Sequence, residues 1–181
     1  ASCLVGSEMC IRDRDISEAT KLTKGAIYGN FLNKEDLALQ AFKYNIRKII
    51  HPLNHIIATQ NNCTDKLYSI TEYYRGYFKL AQNRGGCPIL NMGTDAKNLN
   101  PALYQAAKDV SIKLIAGIEA IIKTGQKAKE FDHNSDARVI SRNIYSIIEG
   151  GIFSALTNED ESFLICILDH IDTNIILNQK K

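Results

Sequence analysis

The 181-residue sequence predicts an all-α protein. Three observations predict it: apolar side chains recur at helical spacing from Lys34 onward, strand-like alternation is missing, and capping residues stand where the apolar stripes begin.

Taken in order, Asp15 to about Thr20 reads as a short helix, Lys21-Leu22 as a turn, and the residues after Thr23 as a second helix capped by that threonine. Ile16, Ala19, Leu22, Ile27 and Phe31 are the expected core between them, leaving Lys24, Gly25, Ala26, Tyr28 and Asn30 facing out. Asn33 then caps a long helix with Glu35 and Asp36 in its first turn, where the positive end of the helix dipole favours acids. Its stripe is Leu37, Ala41, Tyr44, Ile49 and Leu53, and Pro52 inside it predicts a kink or an early end.

Asn61-Asn62 breaks the pattern, and Thr64 before Asp65 is the expected cap of the next helix, striped by Leu67, Ile70, Tyr74, Tyr77, Phe78 and Ala81. Gly85-Gly86 marks another break. Asn100-Pro101, a cap followed by proline at the first helical position, opens a helix striped by Leu103, Ala107, Val110, Leu114, Ile118 and Ile121. After a polar break at Asp132-His133-Asn134, two strongly apolar helices are expected over about 136–156 and 160–178, the second capped by Asn158.

With 45% apolar and 23% charged residues the chain has ordinary globular composition, which excludes wholesale disorder. No run approaches the ~18 apolar residues of a membrane span. The net charge of +2 is unevenly placed: residues 1–50 hold eight basic and six acidic side chains, and the rest of the chain holds fourteen of each. That excess points the first third of the chain toward an anionic partner. The five cysteines are scattered and show no CxxC spacing, and Leu4-Val5 is too short for a signal-peptide core, so a reducing, cytoplasmic location is expected.

The segment 23–34 carries the functional signal. Small residues at Gly25 and Ala26 let a helix backbone approach base edges in a major groove, while Lys24 and Tyr28 reach phosphates on either side. Asn30 can pair with a base or a phosphate, and Lys34 adds a cation at a helix N-terminus, a ready phosphate grip. The alternative for the same residues is a helical hairpin with solvated charges and no nucleic-acid role. The order Thr23-Lys24-Gly25-Ala26-Ile27-Tyr28-Gly29-Asn30-Phe31-x-Asn33-Lys34-Glu35 resembles the recognition-helix signature of TetR/AcrR-type transcriptional regulators. Gly86-Cys87-Pro88-Ile89-Leu90-Asn91 gives a second, weaker match, to the start of a short helix in the ligand-binding domain of many members. The resemblance covers roughly residues 15 to 178. It implies a homodimeric regulator, usually a repressor, that holds palindromic double-stranded operator DNA and releases it when a small-molecule effector enters the larger domain. DNA contact then falls to Thr23, Lys24, Gly25, Ala26, Tyr28, Asn30 and Lys34. The expected division is a helix-turn-helix domain over 15–48 and a ligand-binding and dimerisation domain over 49–181.

The family's head has an apolar first helix where this chain has residues 1–14, with only Leu4, Val5, Met9 and Ile11 as apolar candidates. Ser7-Glu8-Met9-Cys10-Ile11-Arg12-Asp13 resembles a translated sequencing-adapter run, so residues 1–14 read as a non-native leader and the head as lacking its first helix. At ~1.5–3 kcal/mol per buried large side chain, the expected consequence is weak operator binding by the chain as written. A competing reading follows, a helical ligand-binding or dimer module that has lost DNA binding.

In the larger domain Tyr73 and Tyr77 stand one turn apart and suit either a pocket wall with polar tips or core packing. Cys87 and Asn91 complete the candidate ligand-binding set; Cys87 precedes Pro88 at a helix start, where the dipole favours a thiolate, and is either a redox or electrophile sensor or a small buried residue. The family places its dimer interface on the final two helices, which here assigns Ile144, Ile147, Ile148, Gly151, Ala155, Leu164, Ile167, Leu168 and Ile171 to it; a core within one chain explains the same pattern. His51 and His55 share a helical spacing, but no third ligand stands at metal-binding distance in sequence, so no metal is assigned. No catalytic or cofactor motif is present, and neither an enzyme nor a membrane protein is expected.

Overall fold

The computed structural model describes residues 13–97 and 100–179. The expected leader, with Cys3, Cys10, Leu4, Val5, Met9 and Ile11, lies outside the described residues except for Asp13 and Arg14. The described residues form helices and connections without a β-strand. In chain order the helices are α1 (Asp13–Thr20), α2 (Lys24–Tyr28), α3 (Lys34–Ala58), α4 (Cys63–Arg75), α5 (Tyr77–Gln82), α6 (Pro88–Asp95), α7 (Pro101–Lys127), α8 (Ala137–Asn158) and α9 (Ser162–His170). A π-helical turn, Ile171–Ile176, and a 3-10 turn, Leu177–Gln179, continue α9.

The chain divides into two compact units. One comprises the chain up to Lys48 with Arg84–Asp109, the other Ile49–Asn83 with Val110–Lys181. In the first, Ile16, Ile27 and Leu37 form a small core with Tyr28 and Phe31 packed against it. In the second, α4 packs on α9 and the π-helical turn, α5 on α8, and α8 lies along α9. All six residues of the stripe from Leu67 to Ala81 are buried there, although the chain breaks at Gly76 into α4 and α5. Edge-on rings at 5.4 Å link Tyr73 to Tyr74 and Tyr74 to Tyr77 across that break.

Several expectations need correction. Ala19 is exposed and Leu22 is 51% exposed, so neither belongs to the small core. Lys21 ends α1 in the left-handed conformation (φ 59°), which redirects the chain and turns Leu22 to solvent. Pro52 does not end its helix, because α3 continues to Ala58 with only one intrahelical donor lost. The cap of α4 is Asn62, not Thr64: its side-chain oxygen accepts the Asp65 N–H at 2.7 Å, whereas Thr64 already lies inside the first turn. Asn158 is the last residue of α8, and Glu159 beyond it is left-handed (φ 54°). Asp160 does the work expected of Asn158, accepting the Ser162 N–H at 2.9 Å, and that bond holds its carboxyl below the usual pKa.

Candidate functional site

The helix-turn-helix is built by short-range hydrogen bonds. Thr20 Oγ1 donates to Ile16 O at 2.8 Å and accepts the Leu22 N–H, tying the end of α1 to the turn. Thr23 is extended (φ −70°, ψ 154°), and its Oγ1 accepts the Ala26 N–H at 3.2 Å, so it caps α2 as its position predicts. Asn30 Nδ2 donates to Ala26 O at 3.1 Å and closes the other end. Asn33 Oδ1 then accepts the Asp36 N–H at 2.8 Å while Asp36 accepts the Leu32 N–H, a reciprocal clamp that starts α3 at Lys34.

This geometry leaves Thr23, Lys24, Gly25, Ala26 and Asn30 exposed, with Lys34 half-buried. A Cβ placed at Gly25 meets nothing within 4 Å, so the start of α2 is unencumbered. Tyr28 is not simply outward: it is half-buried, packs on the Ile16–Ile27–Leu37 core, and has the Lys24 ammonium 6.0 Å from its ring centroid. Arg14 pairs with Glu18 at 3.2 Å along α1.

The candidate ligand residues behave differently. Asn91 Nδ2 donates to Gly85 O at 3.1 Å and braces the Gly85-Gly86 turn, whose φ angles of 77° and 111° require glycine. Cys87 sits at the N-cap of α6 but is 2% exposed and makes no side-chain capping bond there. These two belong to one compact unit, Tyr73 and Tyr77 to the other. Tyr77 is 2% exposed and is a core residue. Tyr73 donates its hydroxyl to Ile49 O at 2.9 Å and borders an open groove of about 510 Å³ beside the Arg75–Asp172 pair. Arg75 reaches Asp169 and Asp172 at 2.7 Å each. Burial works against its charge, but the hydrogen bonds and charges of those two aspartates outweigh burial and raise its pKa.

The second unit also holds a more enclosed cavity of about 190 Å³, which sequence reasoning missed. Leu53, Ile70, Tyr74, Ile118 and Ile148 form its buried wall, with Ile57, Leu114, Ile121 and Tyr145 half-buried beside them. Asn54, Lys113 and Gly117 are exposed and mark its mouth. Leu114, Ile118 and Ile121 were legible as one helical stripe, but periodicity does not distinguish a filled core from a lined hollow. His51 and His55 are exposed on α3, and among the described residues no cluster of three or more metal-ligating side chains includes them.

The residues assigned to the final two helices differ in exposure. Ile144, Ile148, Ala155, Leu164, Leu168 and Ile171 are each 3% exposed or less within a single chain and are core residues there. Gly151 belongs to the same core: a Cβ there would stand 3.2 Å from Ile167 and Leu164 side-chain carbons. Of the nine assigned residues, Ile147 and Ile167 keep partial exposure, while Phe153 (60%) and Phe163 (44%) present the larger apolar surface of α8 and α9.

The family pattern described as "Tetracyclin repressor-like, C-terminal domain" matches residues 63–169. The chain is 24% identical over 149 residues to the uncharacterized HTH-type transcriptional regulator YxaF of Bacillus subtilis (strain 168), spanning 82% of this chain and 75% of that protein. Its fold superposes on a TetR-family regulator from Cytophaga hutchinsonii with a TM-score of 0.84 at 28% identity, covering 99% of this chain and 88% of that one. A TetR regulator from Chloroflexus aurantiacus J-10-FL gives a TM-score of 0.90 at 27% identity, covering 99% and 93%. No helix among the described residues is long and apolar enough to cross a membrane.

Proposed function

Given that this chain belongs to the tetracyclin repressor-like (TetR) family of transcriptional regulators, we propose that it is a repressor that binds palindromic operator DNA as a homodimer and leaves it when a small molecule fills the 190 Å³ cavity. The observation that carries the reading is α2: a capped helix whose exposed start offers Lys24, Gly25 and Ala26 without obstruction, followed by Lys34 at the N-terminus of α3. Lys24 and Lys34 hold phosphates, Thr23 and Asn30 fix the ends of α2, and Gly25 and Ala26 admit the base edges. The DNA-binding part is assigned to residues 15–48, and ligand binding and dimerisation to 49–181.

Two recognition helices must reach successive major grooves ~34–36 Å apart, so a dimer contact is needed to fix their spacing. Phe153, Phe163, Ile147 and Ile167 are among the apolar residues of α8 and α9 that keep surface to make it, as is Val139 near the start of α8. Ligand entry acts by differential binding, favouring a spacing that does not fit DNA. The cavity includes Leu53, Asn54 and Ile57 of α3, the same continuous helix that begins at Lys34, so its occupancy is read by an element that also carries a phosphate contact.

A gel-shift titration with the DNA upstream of its own gene tests the reading. The protein is expected to retard that fragment weakly but in preference to unrelated DNA, and Lys24→Ala to weaken binding further and evenly across sequences while lowering the salt slope by about one. Retardation that is non-specific, or unchanged in Lys24→Ala, overturns the assignment of α2 and favours a ligand-binding or dimer module.

A further inference from the structure

We infer that the cavity of the second unit takes a small amphipathic carboxylate, a single aryl ring or short alkyl chain ending in an anionic head, held by Lys113 at the mouth. The inference rests on the proposed role of this cavity as the effector site. Its volume sets the size: about 190 Å³ is slightly more than the ~150 Å³ that accommodates one benzene ring in an engineered protein cavity, so a ring with a short tail fits and a polycyclic ligand does not. Its wall sets the body: Leu53, Ile70, Ile118 and Ile148 are all 7% exposed or less and offer no charge.

The mouth sets the head group. Lys113 is the one charged residue among those lining the cavity, it is exposed, and no carboxylate pairs with it among the described residues. A cationic ligand would meet this ammonium unpaired, whereas a carboxylate gains a charge-assisted hydrogen bond, with Asn54, also exposed on the lining, as a further polar group. Gly117 keeps the mouth open, because a Cβ there meets nothing within 4 Å. A larger side chain at 117 therefore meets no neighbour at its Cβ and, from its position on the cavity lining, is expected to occlude the mouth.

The test is calorimetric titration of the full chain with three probes of one shape: 3-phenylpropionate, its neutral amide, and the cationic 3-phenylpropylamine. The carboxylate is expected to bind about tenfold more tightly than the amide and the amine least, with that advantage lost in Lys113→Gln and all binding lost in Gly117→Leu. If amide and carboxylate bind equally, or Lys113→Gln leaves their ratio unchanged, while Gly117→Leu still abolishes binding, the anionic class is wrong and the cavity remains the ligand site. If no probe binds, or Gly117→Leu binds like the parent, the cavity assignment fails together with the class. Circular dichroism of both variants, expected to match the parent, separates lost binding from lost fold.

Discussion

Cys63, the first residue of α4, shows how far a single side chain is governed by its surroundings. Burial raises its thiol pKa above the usual ~8.5, and the nearby Glu130 carboxylate adds to the effect against a smaller opposing influence of Lys66. An acid whose pKa is raised on folding stabilises the fold below its unfolded pKa and loses that contribution as pH rises through the folded value. Urea midpoints are therefore expected to fall more between about pH 8 and about pH 10 for the parent than for Cys63→Ala, and an equal fall would contradict the assignment. The described cysteines should also separate by reactivity. Cys166 is exposed while Cys63 and Cys87 are buried, so brief labelling by a thiol reagent followed by peptide mapping should modify Cys166 first. At this scale the sequence was legible wherever the partner is local. Thr23, Asn33 and Asn100 cap as expected because donor and acceptor are three residues apart. Thr64 misled because Asn62 satisfies the same rule one residue outside the helix, and Asn158 because nothing local announces a left-handed Glu159.

The elements are held in place by contacts no periodicity announces. Glu130, in the connection between α7 and α8, accepts the N–H groups of Cys63 at 2.8 Å and Thr64 at 3.1 Å, a carboxylate at the positive end of α4. Nearby, a Cβ at Gly125 would overlap the ring of Phe131, which is fully buried, and Gly125 O also accepts the Glu130 N–H at 2.9 Å. Gly125→Ala is expected to cost roughly 1–3 kcal/mol in denaturant unfolding, against the gain a glycine-to-alanine change ordinarily brings inside a helix. Gly117→Ala, in the same helix with open space around it, is the control and should stabilise. If the two changes shift stability alike, the Gly125–Phe131 contact is not what selects glycine. Helix positions were legible because each stripe repeats within one segment; the break at Gly76 and the passage of α3 through Pro52 were not, since a glycine or a proline inside an apolar stripe is compatible with either a break or a continuous helix.

For the molecule as a whole, the proposed dimer makes the burial of α8 and α9 testable. Replacing Phe153 and Phe163 together by Asp should give a folded monomer by sedimentation, because both are exposed in one chain, whereas Ile148→Asp should unfold the second unit, because its side chain is buried there. A folded dimer after the double change would move the interface elsewhere. The sequence by itself determined the all-α class, the helix-turn-helix of α1 and α2, and the family, because helical spacing, caps and a compact motif are properties of neighbours along the chain. The charge excess in residues 1–50 belongs to the same kind of information, being a sum over one segment. Tertiary structure alone decided which apolar residues of the last two helices are interior, that Asn91 braces a glycine turn, and that Leu114, Ile118 and Ile121 line a hollow with Lys113 at its mouth. Burial and cavities arise between segments far apart in sequence, and an apolar stripe looks the same whether a neighbouring helix fills the space beside it or leaves room for a ligand.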